Sequence, residues 1–527
     1  ETLFGENIYK MCDYGDELVI GIHEGKLKKL NKRKNILTDV NAPEVHYKII
    51  RDVACFDDEL WVGTQSGVYV INELKNKISH IYNDPMCSYS LSDNQIGRIY
   101  RDRENGIWIG TNLGGVNYCP QRGIEFTRHI PLSRPYTISS KRVRELVEDE
   151  EGNIWVGTED AGINIYDPHT GVFKKIGRDV GPKSVCEKSL ALLADKNYIW
   201  AGSFKNGLDM IDRRNFSVRH YSGEQLGLNE ASIYALCEDR KGKIWIGNAW
   251  GVYVGDKKTM TFTRLPQFGL SYIFDIIEDS DGYIWVATMG NGVYKYNPED
   301  RKIKHYMHRE GDDVSLSSNS VSNIKETSSG EIWFSTDRGG VCRYNKTEDN
   351  FTTFSEKQGL PDDTAYKILE DKNRNLWFGT NKGLVKFDPE TGQSEVFTTD
   401  NGLPGDQFNY KSAFVSSSGI FYFGSSEGLI SFDPYQMQKN SCIPSVFITK
   451  LLIGNKEVTP RSENSPLQKS ILYTDKITLN YDQASIGFEF VTLSYVSPSA
   501  NVYAYKMDNI DDDWVYTRDN HNVSYAN

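Results

Sequence analysis

The sequence predicts an all-β protein: a seven-bladed β-propeller, preceded by three blades of a second propeller and followed by an immunoglobulin-like β-sandwich. A short apolar phrase recurs ten times along the 527 residues, and eight copies carry tryptophan at the same place. Successive copies lie 40 to 48 residues apart, a period typical of propeller blades. Beyond residue 440, short alternating strands without this phrase predict a sandwich. The ten central residues are Val19, Trp61, Trp108, Trp155, Trp200, Trp245, Trp285, Trp333, Trp377 and Tyr422.

One repeat, residues 231–265, shows how each blade is encoded. Residues 233–239 alternate in polarity, and a glycine-containing turn at 240–243 leads into the nearly apolar strand 244–247. Residues 251–254 and 262–265 complete four short antiparallel strands. We expect the central tryptophan to pack on the adjacent blade as a wedge. Acidic pairs recur beside the turn, and repetition favours a structural role over catalysis: Glu148-Asp149, Glu238-Asp239, Glu278-Asp279 and Glu370-Asp371.

The number of repeats predicts the domain organisation. Seven copies, counted back from Tyr422, reach Trp155, and seven is a common ring size. The three remaining copies belong either to a second propeller that continues upstream or to a single ten-bladed ring, and the rarity of large rings favours the former. We therefore expect the end of a first propeller in residues 1–130, a seven-bladed propeller in 131–440 and an incomplete sandwich in 441–527.

Composition excludes several classes of function. The formal net charge of −12 and the isoelectric point near 5.4 argue against a nucleic-acid partner, since phosphate binding needs a basic surface. The sequence contains no 18-residue apolar run, and its first residues do not resemble a signal peptide. The eight cysteines lack metal-ligand spacing, so we expect mostly free thiols and no metal. No nucleophile elbow or phosphate loop occurs, which predicts no catalytic residue and no cofactor in this region.

Two stretches resemble known modules of signalling proteins. The segment 148–168, with Asn153-Ile154-Trp155-Val156-Gly157-Thr158 at its centre, is similar to the two-component regulator propeller repeat. The tail resembles the triple-tyrosine module that follows such propellers: Phe488-Glu489-Phe490, Tyr495, Pro498, Tyr503-Ala504-Tyr505-Lys506-Met507 and Trp514. The combination is similar to the periplasmic sensor region of Bacteroidetes hybrid two-component systems.

The resemblance implies a function and partners. In that family two propellers and the triple-tyrosine module precede a transmembrane helix, a histidine kinase and a response regulator. It implies a non-catalytic sensor on the periplasmic side of the inner membrane, attached through a downstream helix. The sensor would bind an oligosaccharide, dimerise through the sandwich and control a polysaccharide-utilisation locus. Two alternatives stay open: a propeller polysaccharide lyase or glycoside hydrolase, and a protein-interaction scaffold without a small ligand.

Loop positions whose residues differ from one repeat to the next indicate a candidate ligand surface. Two kinds of loop line one opening of a propeller channel: those that lead into the inner strand and those that join the second and third strands. We call this surface the propeller mouth. Its aromatic side chains could stack on sugars, and its five basic side chains would suit an anionic glycan. A site at the junction with the first propeller, with Arg98, Asn112 and Leu113, is the alternative. The predicted mouth residues are Trp250, Arg142, Arg144, Phe204, Lys205, Tyr234, Tyr272, Phe274, Arg338, Tyr366 and Lys382.

Overall fold

Strands dominate the structure, a computed structural model. It describes residues 3, 6–23, 25–87, 89–120, 126–176, 186–436, 444–495, 501–517 and 520–525. The chain divides into two compact units: Glu1–Gly123 with Lys439–Asn527, and Ile124–Gln438. Short 3-10 helices lie at Pro43–Val45, Pro266–Phe268, Glu356–Gln358, Thr399–Asn401 and Ile471–Tyr473. Within the described ranges, no helix has the length and apolar character needed to cross a membrane.

The first unit begins with three antiparallel blade-like sheets, as the repeats at Val19, Trp61 and Trp108 predict. In the first two sheets the four strands follow chain order, and the third sheet has three strands. Cys12 and Cys55, on the inner strands of the first two sheets, form a disulfide. The expectation of free thiols is therefore wrong for this pair, while Cys87, Cys186, Cys237 and Cys342 are free and Cys442 lies outside the described residues. The strands are β1 (Ile8–Tyr14), β2 (Glu17–Ile22), β3 (Lys26–Asn31), β4 (Ile36–Asp39), β5 (Ile50–Phe56), β6 (Glu59–Thr64), β7 (Gly67–Asn72), β8 (Lys77–Ile81), β9 (Ile96–Arg101), β10 (Ile107–Thr111) and β11 (Val116–Cys119).

The second unit is a ring of seven four-stranded sheets. Each inner strand packs against the inner strand of the next sheet, and the last inner strand packs against the first, which closes the ring. The first six sheets in chain order contain β13 (Val143–Glu148), β14 (Ile154–Thr158), β15 (Ile163–Asp167), β16 (Val172–Ile176); β17 (Ser189–Ala194), β18 (Tyr198–Ser203), β19 (Leu208–Asp212), β20 (Val218–Tyr221); β21 (Ala235–Glu238), β22 (Lys243–Asn248), β23 (Gly251–Asp256), β24 (Thr261–Leu265); β25 (Tyr272–Glu278), β26 (Ile284–Met289), β27 (Val293–Tyr296), β28 (Ile303–Tyr306); β29 (Val321–Glu326), β30 (Ile332–Thr336), β31 (Val341–Asn345), β32 (Asn350–Phe354); and β33 (Ile368–Glu370), β34 (Leu376–Thr380), β35 (Gly383–Phe387), β36 (Ser394–Phe397).

The seventh sheet joins strands from both ends of this unit. Strand β12 (Thr127–His129) pairs with β39 (Gly428–Phe432), which continues the sheet through β38 (Phe421–Ser425) to β37 (Phe408–Val415). The ring unit therefore includes residues that the sequence assigned to the preceding propeller, whose end was placed at residue 130. The physical reason is closure: pairing of the first strand with the last blade satisfies two strand edges at once.

The wedge tryptophans behave as predicted. Trp155 packs with Leu192 and Ile199 of the next blade, and Trp377 packs with Phe421 and Phe423. Burial of such an indole contributes a large apolar area, roughly 150–250 Å². These contacts run around the ring, so each blade is stabilised by its neighbour.

The recurrent acidic residues hold the blades together, and their predicted structural role is confirmed. Asp149 accepts a hydrogen bond from Trp155 Nε1 at 2.8 Å, and Asp279 does the same for Trp285 at 2.7 Å. Glu148 accepts from the backbone N of Ser417 in the neighbouring blade at 2.7 Å. The aspartate of each pair thus binds an indole within its own blade, and a glutamate such as Glu148 binds a turn of the preceding blade.

The C-terminal part of the first unit is a small sandwich-like pair of sheets. The larger sheet has the order β41-β40-β42-β45, and the smaller pairs β43 with β44. Phe490, Tyr503 and Val523 form a small core between them. The strands are β40 (Val446–Ile453), β41 (Lys456–Val458), β42 (Ile486–Thr492), β43 (Tyr503–Tyr505), β44 (Val515–Thr517) and β45 (Asn522–Tyr525).

Candidate functional site

Five of the seven inner strands of the ring carry a β-bulge near their start, at the propeller mouth. Strand β13 shifts register between Val143 and Glu145, which leaves Arg144 outside the ladder. Strand β25 does the same around Phe274, and β37 has a longer irregularity between Phe408 and Ala413. Bulges re-aim side chains and are common beside functional sites. Here they place aromatic and charged residues around the channel opening.

Five aromatic rings form a continuous arc across the mouth. Ring centroids lie 4.4 Å apart for Tyr234 and Tyr272, and 6.1 Å apart for Tyr272 and Phe274. The arc continues from Phe274 to Tyr410 at 5.4 Å and from Tyr410 to Tyr366 at 4.7 Å. The structure thus brings together four of the predicted residues with Tyr410, a further inner-strand residue that lies in the bulge of β37.

The five rings differ in exposure. Phe274 and Tyr366 are only 4% and 5% exposed, and the Tyr366 hydroxyl donates to Asn381 Oδ1 at 2.7 Å. Tyr234, Tyr272 and Tyr410 are half-buried. Phe274 and Tyr366 therefore act as the wall that supports the three accessible tyrosines.

Local hydrogen bonds hold the side chains of Arg144 and Glu230. Arg144 Nη1 donates to Glu159 Oε1 at 3.0 Å, and the guanidinium lies 5.8 Å from the ring centroid of Tyr410. Glu230 Oε1 accepts from the backbone N and the hydroxyl of Ser232, at 2.9 and 2.6 Å. Arg144 Nε and Glu230 Oε2 are buried and have no hydrogen-bond partner in the described part of the chain.

Trp250 lies at the rim, 46% exposed. Asn248 fixes its loop: Asn248 Oδ1 accepts from Trp250 N at 2.8 Å, and Asn248 Nδ2 donates to the Glu230 carbonyl at 3.0 Å. Trp250 is therefore held next to the loop of Glu230.

The remaining predicted residues are basic side chains on the rim and the ring of Phe204. Lys205 and Arg338 have φ of 64° at a position where the loop after β26 has Gly290. Both are exposed, as is Arg142, and none of these three has a carboxylate partner within the described ranges. Lys382, in contrast, pairs with Glu356 at 2.8 Å.

Phe204 contributes a half-buried ring between two cations. The Nζ atoms of Lys188 and Lys205 lie 5.3 and 5.1 Å from its centroid. Such contacts occupy the faces of the ring. Phe204 is therefore less suited to stack on a ligand than the three accessible tyrosines.

A buried ionic cluster lies on the inner strands of the ring. Glu145 pairs with Lys367 at 2.6 Å and with Lys411 at 3.1 Å. Lys411, with φ of 60°, reaches across the ring to donate to the Tyr234 carbonyl at 2.8 Å. Burial alone would raise the pKa of Glu145, but the two ammonium groups hold it below its ordinary value. These contacts link residues of four blades across the inside of the ring.

Sequence reasoning missed several parts of this arrangement. Glu230 lies in a loop whose Gly227-Leu228 start recurs at Gly359-Leu360, so its position alone does not distinguish it, and the bulge that presents Lys411 depends on the fold. Arg98, Asn112 and Leu113, the alternative site, belong to the other unit, where Arg98 Nη1 contacts Asp52 at 3.3 Å. No group of three or more potential metal ligands occurs in the described part of the chain.

The fold and the repeats define a class of protein. A family model described as the two-component regulator propeller matches residues 90–113, 137–160, 227–250, 267–290, 315–338 and 359–382. The chain therefore contains two-component regulator propeller repeats, arranged as blades and followed by a β-sandwich. This agrees with the predicted relationship to sensor regions of hybrid two-component systems.

Individual relatives support the same relationship. Histidine kinase P4 of Formosa agariphila is 26% identical over 459 residues, which are 83% of this chain and 29% of that protein. This chain thus spans less than a third of that relative. The extracellular domain of a hybrid two-component system from B. thetaiotaomicron matches with a TM-score of 0.78 and 26% identity, over 98% of this chain and 68% of that one. A second such domain from B. thetaiotaomicron, 22% identical, has the same fold, with a TM-score of 0.50 over 97% of this chain and 69% of that one.

Proposed function

We propose that this chain is the sensor region of a hybrid two-component regulator and that it binds an oligosaccharide at the propeller mouth. The observation that carries the proposal is the half-buried tyrosine surface of Tyr234, Tyr272 and Tyr410, with the Arg144 guanidinium 5.8 Å from the Tyr410 ring centroid. Aromatic faces pack on the C–H surfaces of sugars, and side-chain donors and acceptors bind hydroxyls. The similarity to extracellular domains supports a position on the periplasmic side of the inner membrane.

The repeated carboxylates favour a non-catalytic role for this region. A glycosidase needs a pair of carboxylates that flank the scissile bond. The acidic pairs of the blades are instead engaged with indoles and neighbouring turns. A lyase or glycoside hydrolase would have to use other carboxylates of the mouth, and the test below distinguishes it by cleavage of the ligand.

Signal transfer in this proposal passes through the sandwich. Ligand binding favours one of two arrangements, which requires different affinities for them. The sandwich would form a homodimer and continue into a transmembrane helix that leads to the kinase, which would control a polysaccharide-utilisation locus. Exposed apolar side chains on the sandwich, Val446, Ile448, Trp514 and Tyr516, support an interface there.

The ligand can be sought by thermal shift with defined plant and host oligosaccharides. A ligand at about 100 times its dissociation constant should stabilise the native state by roughly 2.7 kcal/mol. We expect Trp250→Ala to reduce the shift, because it removes the exposed indole at the rim. Recovery of the unchanged oligosaccharide supports a sensor, and recovery of cleaved oligosaccharide supports an enzyme. No shift with any glycan contradicts oligosaccharide binding and favours a scaffold.

The dimer is tested separately by light scattering on the complete extracellular region. We expect a ligand-dependent increase in mass, and Trp514→Ala should weaken it if the indole lies in the interface. A mass that stays monomeric with saturating ligand contradicts dimerisation through the sandwich.

A further inference from the structure

Tyr495, in the tail that resembles the triple-tyrosine module, does not serve the core of the sandwich. Tyr503 packs in that core, where its ring centroid lies 5.1 Å from that of Phe490, and the Tyr505 centroid lies 6.3 Å from the same ring. Tyr495 follows the end of β42, is 47% exposed, and makes its ring contacts with the third blade-like sheet of the first unit. The role of this side chain is therefore to be sought in that sheet.

An aromatic cluster joins the third sheet to the sandwich. The Tyr495 ring centroid lies 5.1 Å from that of Trp108, with the two ring planes at 88°, and 6.1 Å from that of Tyr118. Trp108 and Tyr118 are paired across β10 and β11, and their centroids are 4.5 Å apart. Edge-to-face rings at such distances attract each other. The three rings therefore form one cluster that includes both parts of the unit.

A hydrogen bond to a charged group accompanies the cluster. Tyr495 N donates to Glu104 Oε2 at 2.7 Å, across 391 positions of the chain. Glu104 is only 6% exposed, and this is the one hydrogen bond to its carboxylate found within the described ranges. A buried carboxylate is costly unless a donor satisfies it. Burial raises the pKa of Tyr118, and the charges of Asp102 and Glu104 raise it further, as expected for a carboxylate beside the rings.

Local bonds fix the surface that receives Tyr495. Asp102 accepts from Trp108 Nε1 at 2.8 Å, and its other oxygen accepts from the backbone N of Glu104 and of Gly106 at 2.9 and 2.8 Å. Gly106 also leaves room for the ring of Tyr118, with which a Cβ at this position would collide. A bonded turn and an oriented indole thus present one surface. We call Glu104, Trp108 and Tyr118 the docking notch.

We infer that the docking notch holds the sandwich on the propeller repeats and that Tyr495 is the anchor. Residues 493–495 occupy the notch, where the ring of Tyr495 packs on Trp108 and its backbone N–H binds Glu104. The position of the sandwich is thereby set by the third sheet. This contact lies within the chain, so it does not depend on the proposed oligosaccharide.

Hydrogen exchange of the full chain without ligand tests the anchor. The amide of Tyr495 lies beyond β42 and donates to Glu104, so we expect it to exchange slowly in the parent protein. Tyr495→Ala removes the ring and should speed exchange at this position about tenfold, after correction for intrinsic rates. Glu104→Ala removes the acceptor, leaves the sandwich sequence intact, and should speed exchange by about tenfold or more. Tyr495→Phe keeps the ring and should leave the rate unchanged.

A matched control separates the anchor from general damage to the sandwich. Tyr481 is a sandwich tyrosine that is 97% exposed, so Tyr481→Ala should leave exchange at residue 495 unchanged. Faster exchange in Tyr495→Ala and Glu104→Ala, with β42 and β45 still protected, supports the inference. Exchange of the Tyr495 amide in the parent protein at the rate of an unfolded chain overturns it, and so does an unchanged rate in Glu104→Ala. The Glu104→Ala result decides the question if Tyr495→Ala fails to fold.

Discussion

Trp333 provides a test of how the blades are held together, because its blade lacks the acidic acceptor found in five of the other six blades. Five wedge tryptophans of the ring donate Nε1 to an aspartate at 2.7 to 3.0 Å. Trp333 is fully buried, and its Nε1 has no partner among the described residues. Thr327 occupies the place of the aspartate, and its Oγ1 accepts from Glu331 N at 3.1 Å, as Asp279 Oδ1 accepts from Tyr283 N at 2.8 Å.

We expect Thr327→Asp to stabilise the ring. The new carboxylate would supply the missing acceptor and keep the bond to the turn. A hydrogen bond to a charged group contributes about 1.5–3 kcal/mol, and partial burial of the carboxylate reduces the net gain to about 1–2 kcal/mol. The ring unit spans residues 124 to 438, which is 315 residues. At about 2.1 cal/mol/K per residue, its unfolding entropy is roughly 0.66 kcal/mol/K, so the gain corresponds to about 1.5–3 °C in Tm.

Scanning calorimetry of the full chain can measure this gain against two controls. Ser416→Asp makes the same change in the last blade, where the wedge residue is Tyr422 and no indole can donate. It should give no gain. Asp279→Thr creates an unpaired Trp285 Nε1 and should destabilise the ring by about 1–3 kcal/mol. The reasoning is refuted if Thr327→Asp is neutral or destabilising, or if Ser416→Asp stabilises the ring equally.

Three further predictions concern other parts of the structure. The double change Cys12→Ser and Cys55→Ser opens a loop with a sequence separation of 43 and should cost about 4 kcal/mol in denaturant unfolding of the first unit; an unchanged midpoint contradicts the crosslink. Lys411→Met leaves the Tyr234 carbonyl and one Glu145 oxygen without the ammonium group, so we expect the free energy of unfolding to fall by about 2 kcal/mol or more. A variant as stable as the parent protein contradicts a stabilising role of this ionic cluster. Burial raises the pKa of Asp349, but three hydrogen-bond donors outweigh it and lower the pKa to about 2. Its stabilisation is therefore present above about pH 4 and lost as the pH falls from about 4 to 2, so Asp349→Asn should lower the Tm at pH 7 and flatten its acid dependence; parallel pH profiles of the two proteins contradict this.

The fold was largely predictable because its determinants repeat locally. A wedge tryptophan, an apolar second strand and a glycine turn within about 45 residues specify one blade. The pairing of β12 with β39 was not predictable in the same way, since it joins residues about 300 positions apart and leaves no signal in either segment. The Cys12–Cys55 disulfide likewise depends on the approach of two neighbouring blades.

The candidate site was predictable in position but not in detail. Counting within the repeat places Arg144, Tyr234 and Tyr272 at the mouth because every inner strand begins there. It does not distinguish the buried wall residues Phe274 and Tyr366 from the accessible rings, since burial depends on the bulge of β37. The sequence also does not identify Glu230, because only the folded loop shows that one of its carboxylate oxygens is buried without a partner in the described part of the chain.

Hydrogen exchange with and without a bound oligosaccharide tests the central claim most directly. With whichever trisaccharide gives the largest thermal shift, we predict slower exchange of backbone amides in residues 228–235, 248–252, 270–275 and 408–412, which surround the tyrosines of the mouth. Protection confined to residues 95–113 or to the sandwich, with the mouth unchanged, would contradict the account.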